Sequence, residues 1–124
     1  MSKPNAGPES GCFDDLPVDE PWPGVRRCAF DTQHATITRY EFEAGAEFPL
    51  HNHPQEQITL VQEGEVEFTV DGDVKRLGPG DWSVVPPDVP HGLRAGAGGA
   101  RFLAIVVPKR DSPHAYNVVE AERA

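Results

Sequence analysis

Residues 45–64 read GAEFPLHNHPQEQITLVQEG, and residues 80–91 read GDWSVVPPDVPH. In the first stretch two histidines, His51 and His53, are separated by a single residue. Side chains two residues apart on an extended strand point to the same face, so the two imidazoles can meet at one point. Imidazole is the commonest protein ligand for transition metals. The pair therefore indicates a metal site, and two surface histidines on an edge strand are the alternative interpretation.

An oxygen-bearing side chain after the histidine pair is a candidate for a further ligand. Gln57 stands four residues after His53 and shares its parity, whereas Glu56 offers a carboxylate in the opposite register. Pro54 interrupts the strand between them, so parity alone does not fix the direction of either side chain. Both Gln57 and Glu56 therefore stay open as ligands at this point.

The sequence around the two stretches has the pattern of short β-strands separated by turns. Val66, Phe68 and Val70 alternate with polar residues, which is typical of a half-buried strand. Asp71-Gly72 then predicts a hairpin turn. Strands that recur about every 8–12 residues indicate a sandwich or a small barrel. Trp82 begins one of these apolar strands, and we expect its ring to lie in the core.

Length and composition exclude several fold classes. The chain has 124 residues, which is about one domain, and 25 of them are glycine (12) or proline (13). Neither residue is tolerated well inside a helix, so a helical bundle or a coiled coil is excluded and many short elements are expected. The chain is also too short for a Rossmann fold, a TIM barrel or a kinase.

Charge and cysteine content exclude several classes of partner. The formal net charge is −9, so we expect no binding to nucleic acid or to an anionic membrane surface. The sequence contains no apolar run of about 20 residues and no signal-peptide core. Its two cysteines, Cys12 and Cys28, cannot build a disulfide framework. From these observations we expect the protein to be cytoplasmic.

The chain divides into three segments by composition. We predict a flexible N-terminal arm over residues 1–24, a barrel over residues 25–110 and a C-terminal tail over residues 111–124. Ser112-Pro113 has the composition of a helix start, so the tail is predicted to hold a short helix.

Together, the two quoted stretches resemble the two motifs of the cupin superfamily, in the form found in small single-domain members. The first motif is matched by Gly45-x5-His51-x-His53-x3-Gln57-x6-Gly64, with Gln where a Glu often stands. The second is matched by Gly80-x5-Pro86-x4-His91. The resemblance implies an all-β jelly-roll barrel that holds one divalent metal ion, either Fe, Mn, Ni or Zn. The ligands it implies are His51, His53, Gln57 and His91.

Within that superfamily the chain looks most like the cupins related to pectin-degradation enzymes that ketonise unsaturated uronates. Those proteins carry an acidic residue, an aromatic residue and an arginine along and after the final strand. Here only Arg110 matches, and the resemblance implies that its guanidinium binds a substrate carboxylate. Ala104 stands in place of the acidic residue, which counts against the uronate reaction itself.

The resemblance leads to two functional hypotheses of different class. The first is a metalloenzyme acting on a small oxygenated molecule, with isomerase or lyase chemistry ahead of a dioxygenase acting on an enol or aromatic substrate. The second is a protein that binds a small ligand through the metal without turnover. Small cupins often look like homodimers, and the apolar residues between positions 12 and 30 would suit such a contact.

Overall fold

The computed structural model describes residues 7–112 and 115–119, and nearly all of its regular structure is β-strand. A short 3-10 helix, Phe13–Asp15, precedes the first strand. The strands are β1 (Asp19–Trp22), β2 (Val25–Asp31), β3 (Thr36–Phe42), β4 (Glu47–Asn52), β5 (Glu56–Val70), β6 (Asp73–Leu77), β7 (Trp82–Val85), β8 (His91–Val107) and β9 (Asn117–Val118). No helix within the described ranges is long and apolar enough to cross a membrane.

Two long strands, β5 and β8, connect the two halves of the barrel. The first part of β5 pairs with β7 and its second part with β6. In the same way, β8 pairs with β4 through its first part and with β3 through its second part. The two long strands also pair with each other, antiparallel, from Glu56 opposite Val107 to Val70 opposite His91. This arrangement is the all-β jelly-roll barrel that the resemblance implied.

The bend of β5 from one half to the other depends on two glycines. The pairing of β5 with β8 shifts register on either side of Gly64. Gly64 has a φ of +73°, and a Cβ at this position would overlap the carbonyl oxygen of Gly99, which itself has a φ of +74°. Only glycine combines this conformation with so close an approach of two backbones.

Alternating residues of the strands fill the barrel with apolar side chains. An aromatic cluster lies at its centre, where the ring of Tyr40 contacts those of Phe42, Phe48 and Phe102 at centroid separations of 5.1–6.1 Å. Val66 and Phe68 continue this core along the second half of β5, as their alternation with polar residues predicted. Burial of each such side chain stabilises the fold by about 1.5–3 kcal/mol.

The N-terminal arm is held against the barrel by specific contacts. The ring of Phe13 packs against that of Phe30 at 5.6 Å, and the Asp14 carboxylate accepts a hydrogen bond from Arg39 at 2.9 Å. Strand β1 then pairs with β2, with Asp19 opposite Arg27. These contacts tie residues 13–22 to the outer edge of the sheet.

Two expectations from the sequence are wrong. Residues 115–119, the described part of the tail beyond Ser112, hold the strand β9 and no helix: Val118 pairs with His51 and Asn117 with Asn52, because β4 leaves an edge there that accepts backbone hydrogen bonds. The Pro113 of the predicted helix start lies outside the described residues. Trp82 is 66% exposed, because its side chain points away from the barrel and that of Ser83 points inward.

Candidate metal centre

Three histidines from two paired strands and the loop that follows β4 come together inside the barrel. His51 lies near the end of β4, directly opposite His91 at the start of β8, and His53 follows β4. The ring nitrogens that the three residues offer lie within 4.8 Å of one another. All three side chains are at least 95% buried, so the site lies inside the barrel and the alternative of surface histidines does not apply.

Each histidine is oriented by a backbone carbonyl two residues away in the chain. The Nδ1 of His51 lies 2.8 Å from the oxygen of Pro49, that of His53 lies 3.1 Å from the oxygen of Gln55, and that of His91 lies 2.9 Å from the oxygen of Val89. A carbonyl oxygen only accepts hydrogen bonds, so Nδ1 carries the proton in each ring. In the neutral rings Nε2 is therefore unprotonated, which is the form that binds a metal.

Gln57 completes the group with an amide oxygen. Its Oε1 lies 3.1 Å from Nε2 of His53 and 3.3 Å from Nε2 of His91. Its Nε2 donates to the Oγ1 of Thr59 at 3.0 Å, which turns the oxygen toward the imidazoles. Glu56, the competing ligand, is exposed and points out of the barrel.

The imidazole nitrogens and the amide oxygen of Gln57 are better suited to binding a cation than to hydrogen-bonding one another. An unprotonated imidazole nitrogen and an amide oxygen are both acceptors, so no hydrogen joins Gln57 to the neutral rings. Acceptors that face each other in a buried site require a cation or a proton between them. Three nitrogens and one amide oxygen are suitable donors for a divalent transition metal.

Burial keeps His51 and His91 neutral. Desolvation lowers the pKa of His91 from the ordinary 6.5 to about 4, although its hydrogen bond to Val89 acts in the opposite direction. The pKa of His51 is also well below the ordinary value, because of burial first and the neighbouring His91 second. Both imidazoles are therefore unprotonated at neutral pH and free to bind a metal.

Arg110 lies near this group of ligands, on the segment that follows β8. Its Nη2 donates to Oγ1 of Thr38 at 3.0 Å and its backbone N–H to Oγ1 of Thr36 at 2.9 Å. Its Nε is buried without a hydrogen-bond partner. The guanidinium is close enough to His51 to contribute to the low pKa of that ring. The arginine also lines a cavity of about 400 Å³ between the arm and β2.

The sequence did not single out three further side chains that lie inside the barrel or beside the histidines. Arg27 is 3% exposed and makes a two-pronged ion pair with Asp19 of β1, with distances of 3.0 and 3.1 Å. Tyr40 hydrogen-bonds Arg27, and the ring of Tyr116 packs 5.3 Å from that of His51. The inward position of Arg27 could have been found from its parity with Val25, but no pattern in the sequence marks Tyr116.

Carboxylates are absent from the interior over the described ranges. The buried polar residues there are arginine, threonine, histidine and glutamine, without aspartate or glutamate. Ala104, the position where the resemblance implied an acidic residue, is 4% exposed and faces inward beside Thr59. The interior is therefore neutral apart from its arginines.

Comparisons with known proteins agree with this geometry. The family model of the cupin domain, Cupin_2, matches residues 38–108. The structure also superimposes on an RmlC-like cupin from Shewanella frigidimarina with a TM-score of 0.77 and 27% sequence identity, over 85% of this chain and 95% of the other.

Two curated relatives are longer proteins. The chain is 39% identical over 69 residues to dimethylsulfoniopropionate lyase DddQ from Ruegeria pomeroyi, covering 55% of this chain and 33% of the lyase. It is 33% identical over 76 residues to quercetin 2,3-dioxygenase from Bacillus subtilis, covering 60% of this chain and 22% of the dioxygenase. The chain thus spans a third or less of the length of each relative.

Proposed function

The chain belongs to the cupin domain family, and on this basis we propose that it is a divalent-metal-dependent enzyme that converts a small oxygenated organic molecule by isomerase or lyase chemistry. The ligands we propose are His51, His53, Gln57 and His91. One observation carries the proposal: three buried imidazoles and an amide oxygen face one another with acceptor atoms only.

The neutral ligand set favours chemistry on an anionic or polarised oxygen. A bound divalent metal ion would act as a Lewis acid toward a carbonyl or enolate oxygen of the substrate. Because Gln57 replaces a carboxylate, no negative charge among the four side chains offsets such an ion. Arg110, held by Thr36 and Thr38, would bind a substrate carboxylate and orient it. Tyr116 is the side chain we assign to hold a proton at its phenol oxygen, since its ring lies against His51.

The similarity to a protein named dimethylsulfoniopropionate lyase supports lyase chemistry and makes that compound the first substrate to test. The carboxylate of this compound is the group that Arg110 would bind. A dioxygenase is the second candidate, because of the similarity to quercetin 2,3-dioxygenase. Metal-dependent binding without turnover is the third. The cytoplasmic location and the homodimer stay predictions from the sequence.

Metal content tests the ligand assignment directly. We expect about one equivalent of a divalent transition metal in the purified chain, and its loss in His51→Ala, because the remaining donors lose their geometry. The matched control is His34→Ala, since His34 is exposed and lies outside both motifs. Unchanged metal in His51→Ala would show that the ligand assignment is wrong.

Turnover separates the three candidate functions. The metal-loaded chain is incubated with dimethylsulfoniopropionate, with hydroxy and keto acids, and with flavonols, while products are followed by NMR and dioxygen by electrode. Products without dioxygen consumption would support the lyase or isomerase. Dioxygen consumption would instead support the second candidate, and saturable binding without products the third. In the first case Arg110→Gln should raise KM for carboxylate substrates at least about 10-fold.

A further inference from the structure

A cavity of about 400 Å³ lies at the edge of the barrel, between the N-terminal arm and β2. We call it the arm cavity. Strand β1 pairs with β2 only as far as Asp19 opposite Arg27, and the arm before Asp19 crosses to the outer face, where Phe13 packs on Phe30. Over the described ranges, the space beside the end of β2 is therefore left open. Its volume lies in the range of about 300–1,000 Å³ that is usual for small-molecule sites.

Two arginines line the arm cavity, and their guanidinium charges are balanced to different degrees. The Arg27 guanidinium donates to both carboxylate oxygens of Asp19, which balances its charge. Arg110 instead donates to the hydroxyl oxygens of Thr36 and Thr38. It forms no ion pair with another residue of the described ranges, and its Nε is buried without a hydrogen-bond partner. The arm cavity therefore contains a positive charge that an anionic group on a ligand would balance.

Much of the remaining lining of the arm cavity is apolar. Val18 of the arm and Phe30 of β2 both line it, and 61% of Val18 and 42% of Phe30 stay exposed. Pro17 and Ala29 add further apolar surface to the lining. An apolar group that covers these side chains removes them from water, which is favourable. The arm cavity therefore favours a ligand with an apolar body over a bare anion.

Two carboxylates also line the arm cavity, and they limit the charge of the ligand. The carboxylate of Asp19 is engaged by Arg27. Asp31 is exposed at the end of β2, where its carboxylate accepts a hydrogen bond from Oγ1 of Thr36 at 2.7 Å. A ligand with one negative charge can pair with Arg110, but a second negative charge would be repelled by Asp31 and by a chain whose net charge is −9. The lining therefore favours a monoanion.

We propose that the arm cavity binds a small monocarboxylic acid with an apolar body, whose carboxylate contacts the Arg110 guanidinium and whose body contacts Val18 and Phe30. The proposal rests on the role that the proposed function gives to Arg110, and it adds the class of molecule that the arm cavity selects. A neutral ligand would leave the charge of Arg110 unbalanced, and a polyhydroxylated acid would bury hydroxyl groups against apolar side chains. Because Arg110 also acts electrostatically on His51, the bound carboxylate lies near the metal centre.

Isothermal titration of the purified chain with sodium hexanoate tests the proposal. Three matched probes separate the contributions: acetate lacks the apolar body, hexanamide lacks the charge, and adipate carries a second charge. We expect saturable binding of hexanoate, with acetate and hexanamide at least about 10-fold weaker and adipate at least about 3-fold weaker. Equal affinities for acetate and hexanoate would overturn the proposal, because a carboxylate bound to the metal alone gives that result. Absence of saturable hexanoate binding up to about 20 mM would overturn it as well.

Matched variants locate the binding site. Arg110→Gln and Val18→Asp should each weaken hexanoate binding at least about 10-fold, the first by removing the charge and the second by placing a carboxylate against the apolar body. Val74→Asp is the control, because Val74 is 60% exposed on β6, outside the arm cavity, and this variant should bind within about 2-fold of the wild-type protein. Asp31→Asn should tighten binding about 2–3-fold at low salt, because it removes a like charge.

The same samples separate this proposal from the proposed function. Val18 is exposed, so Val18→Asp should fold even if Arg110→Gln does not, and far-UV circular dichroism checks both variants. Unchanged hexanoate affinity in folded Val18→Asp would overturn the arm cavity as the site. A chain that binds hexanoate selectively but holds no metal would refute the proposed function and support the arm cavity. Metal and turnover without hexanoate binding would do the reverse.

Discussion

The pKa of His91 predicts how the metal-free protein responds to acid. Its side chain has no exposed surface, and burial lowers its pKa to about 4 in the folded state, against 6.5 for an ordinary histidine. Between these two values the unfolded chain binds a proton that the folded chain does not. The contribution of His91 to stability is therefore complete above about pH 7 and is lost as pH falls toward 4.

The size of this effect follows from the same two values. Lowering the pH from about 7.5 to about 4.5 should remove about 2–3 kcal/mol from the free energy of unfolding through His91 alone, since one pKa unit corresponds to about 1.4 kcal/mol. The low pKa of His51 adds to the loss in the same direction.

Urea unfolding of the metal-free protein at several pH values measures the loss. The variant His91→Asn should lose about 2 kcal/mol less than the wild-type protein over the same window. His34→Asn is the control and should follow the wild-type protein, because His34 is exposed and keeps its water on folding. Parallel curves for His91→Asn and the wild-type protein would refute the view that His91 is buried as a neutral ring.

Two further predictions concern the ligand register and the bend of β5. Gln57→Ala should weaken metal binding in a competition titration with a chelator by at least about 10-fold, but less than loss of an imidazole, whereas Glu56→Ala should change it by less than about 2-fold; the reverse order would show that Glu56 is the ligand. Gly64→Ala should lower the free energy of unfolding by about 2–5 kcal/mol, because the new Cβ meets backbone at a positive φ. Gly98→Ala, where a Cβ meets no atom within 4 Å, should stay within about 0.5 kcal/mol of the wild-type protein.

The features of the fold that could be predicted from the sequence are those with a local signal. Val66, Phe68 and Val70 alternate with polar residues because one face of their strand is buried, and the structure has that strand. The sequence alone does not fix the register of Gln57, because Pro54 lies between it and His53. The structure resolves the question, since pairing of Gln57 with Val106 and Val85 turns its side chain inward and that of Glu56 outward. That pairing is non-local, so no sequence window contains it.

The features that could not be predicted depend on partners distant in the chain. The tail forms β9 because the edge of β4 accepts it, some 65 residues earlier in the sequence. Trp82 is apolar and in a strand, but strand periodicity alone does not say which face is inside. Arg27 is a charged residue in an alternating strand, and its burial becomes favourable only once Asp19 and Tyr40 are placed beside it.

The distribution of charge bears on the ligand that the barrel can hold. The surface carries most of the excess acid of a chain whose net charge is −9, while the buried polar residues of the described ranges include no carboxylate. Lowered pKa values keep the imidazoles of His51 and His91 neutral, so the arginines supply the positive charge inside. The carboxylate of Asp19 balances the positive charge of Arg27, whereas the buried Nε of Arg110 has no hydrogen-bond partner. We therefore propose that the ligand carries an anionic group as counter-charge to Arg110, because a carboxylate matches the geometry of a guanidinium better than a neutral oxygen does.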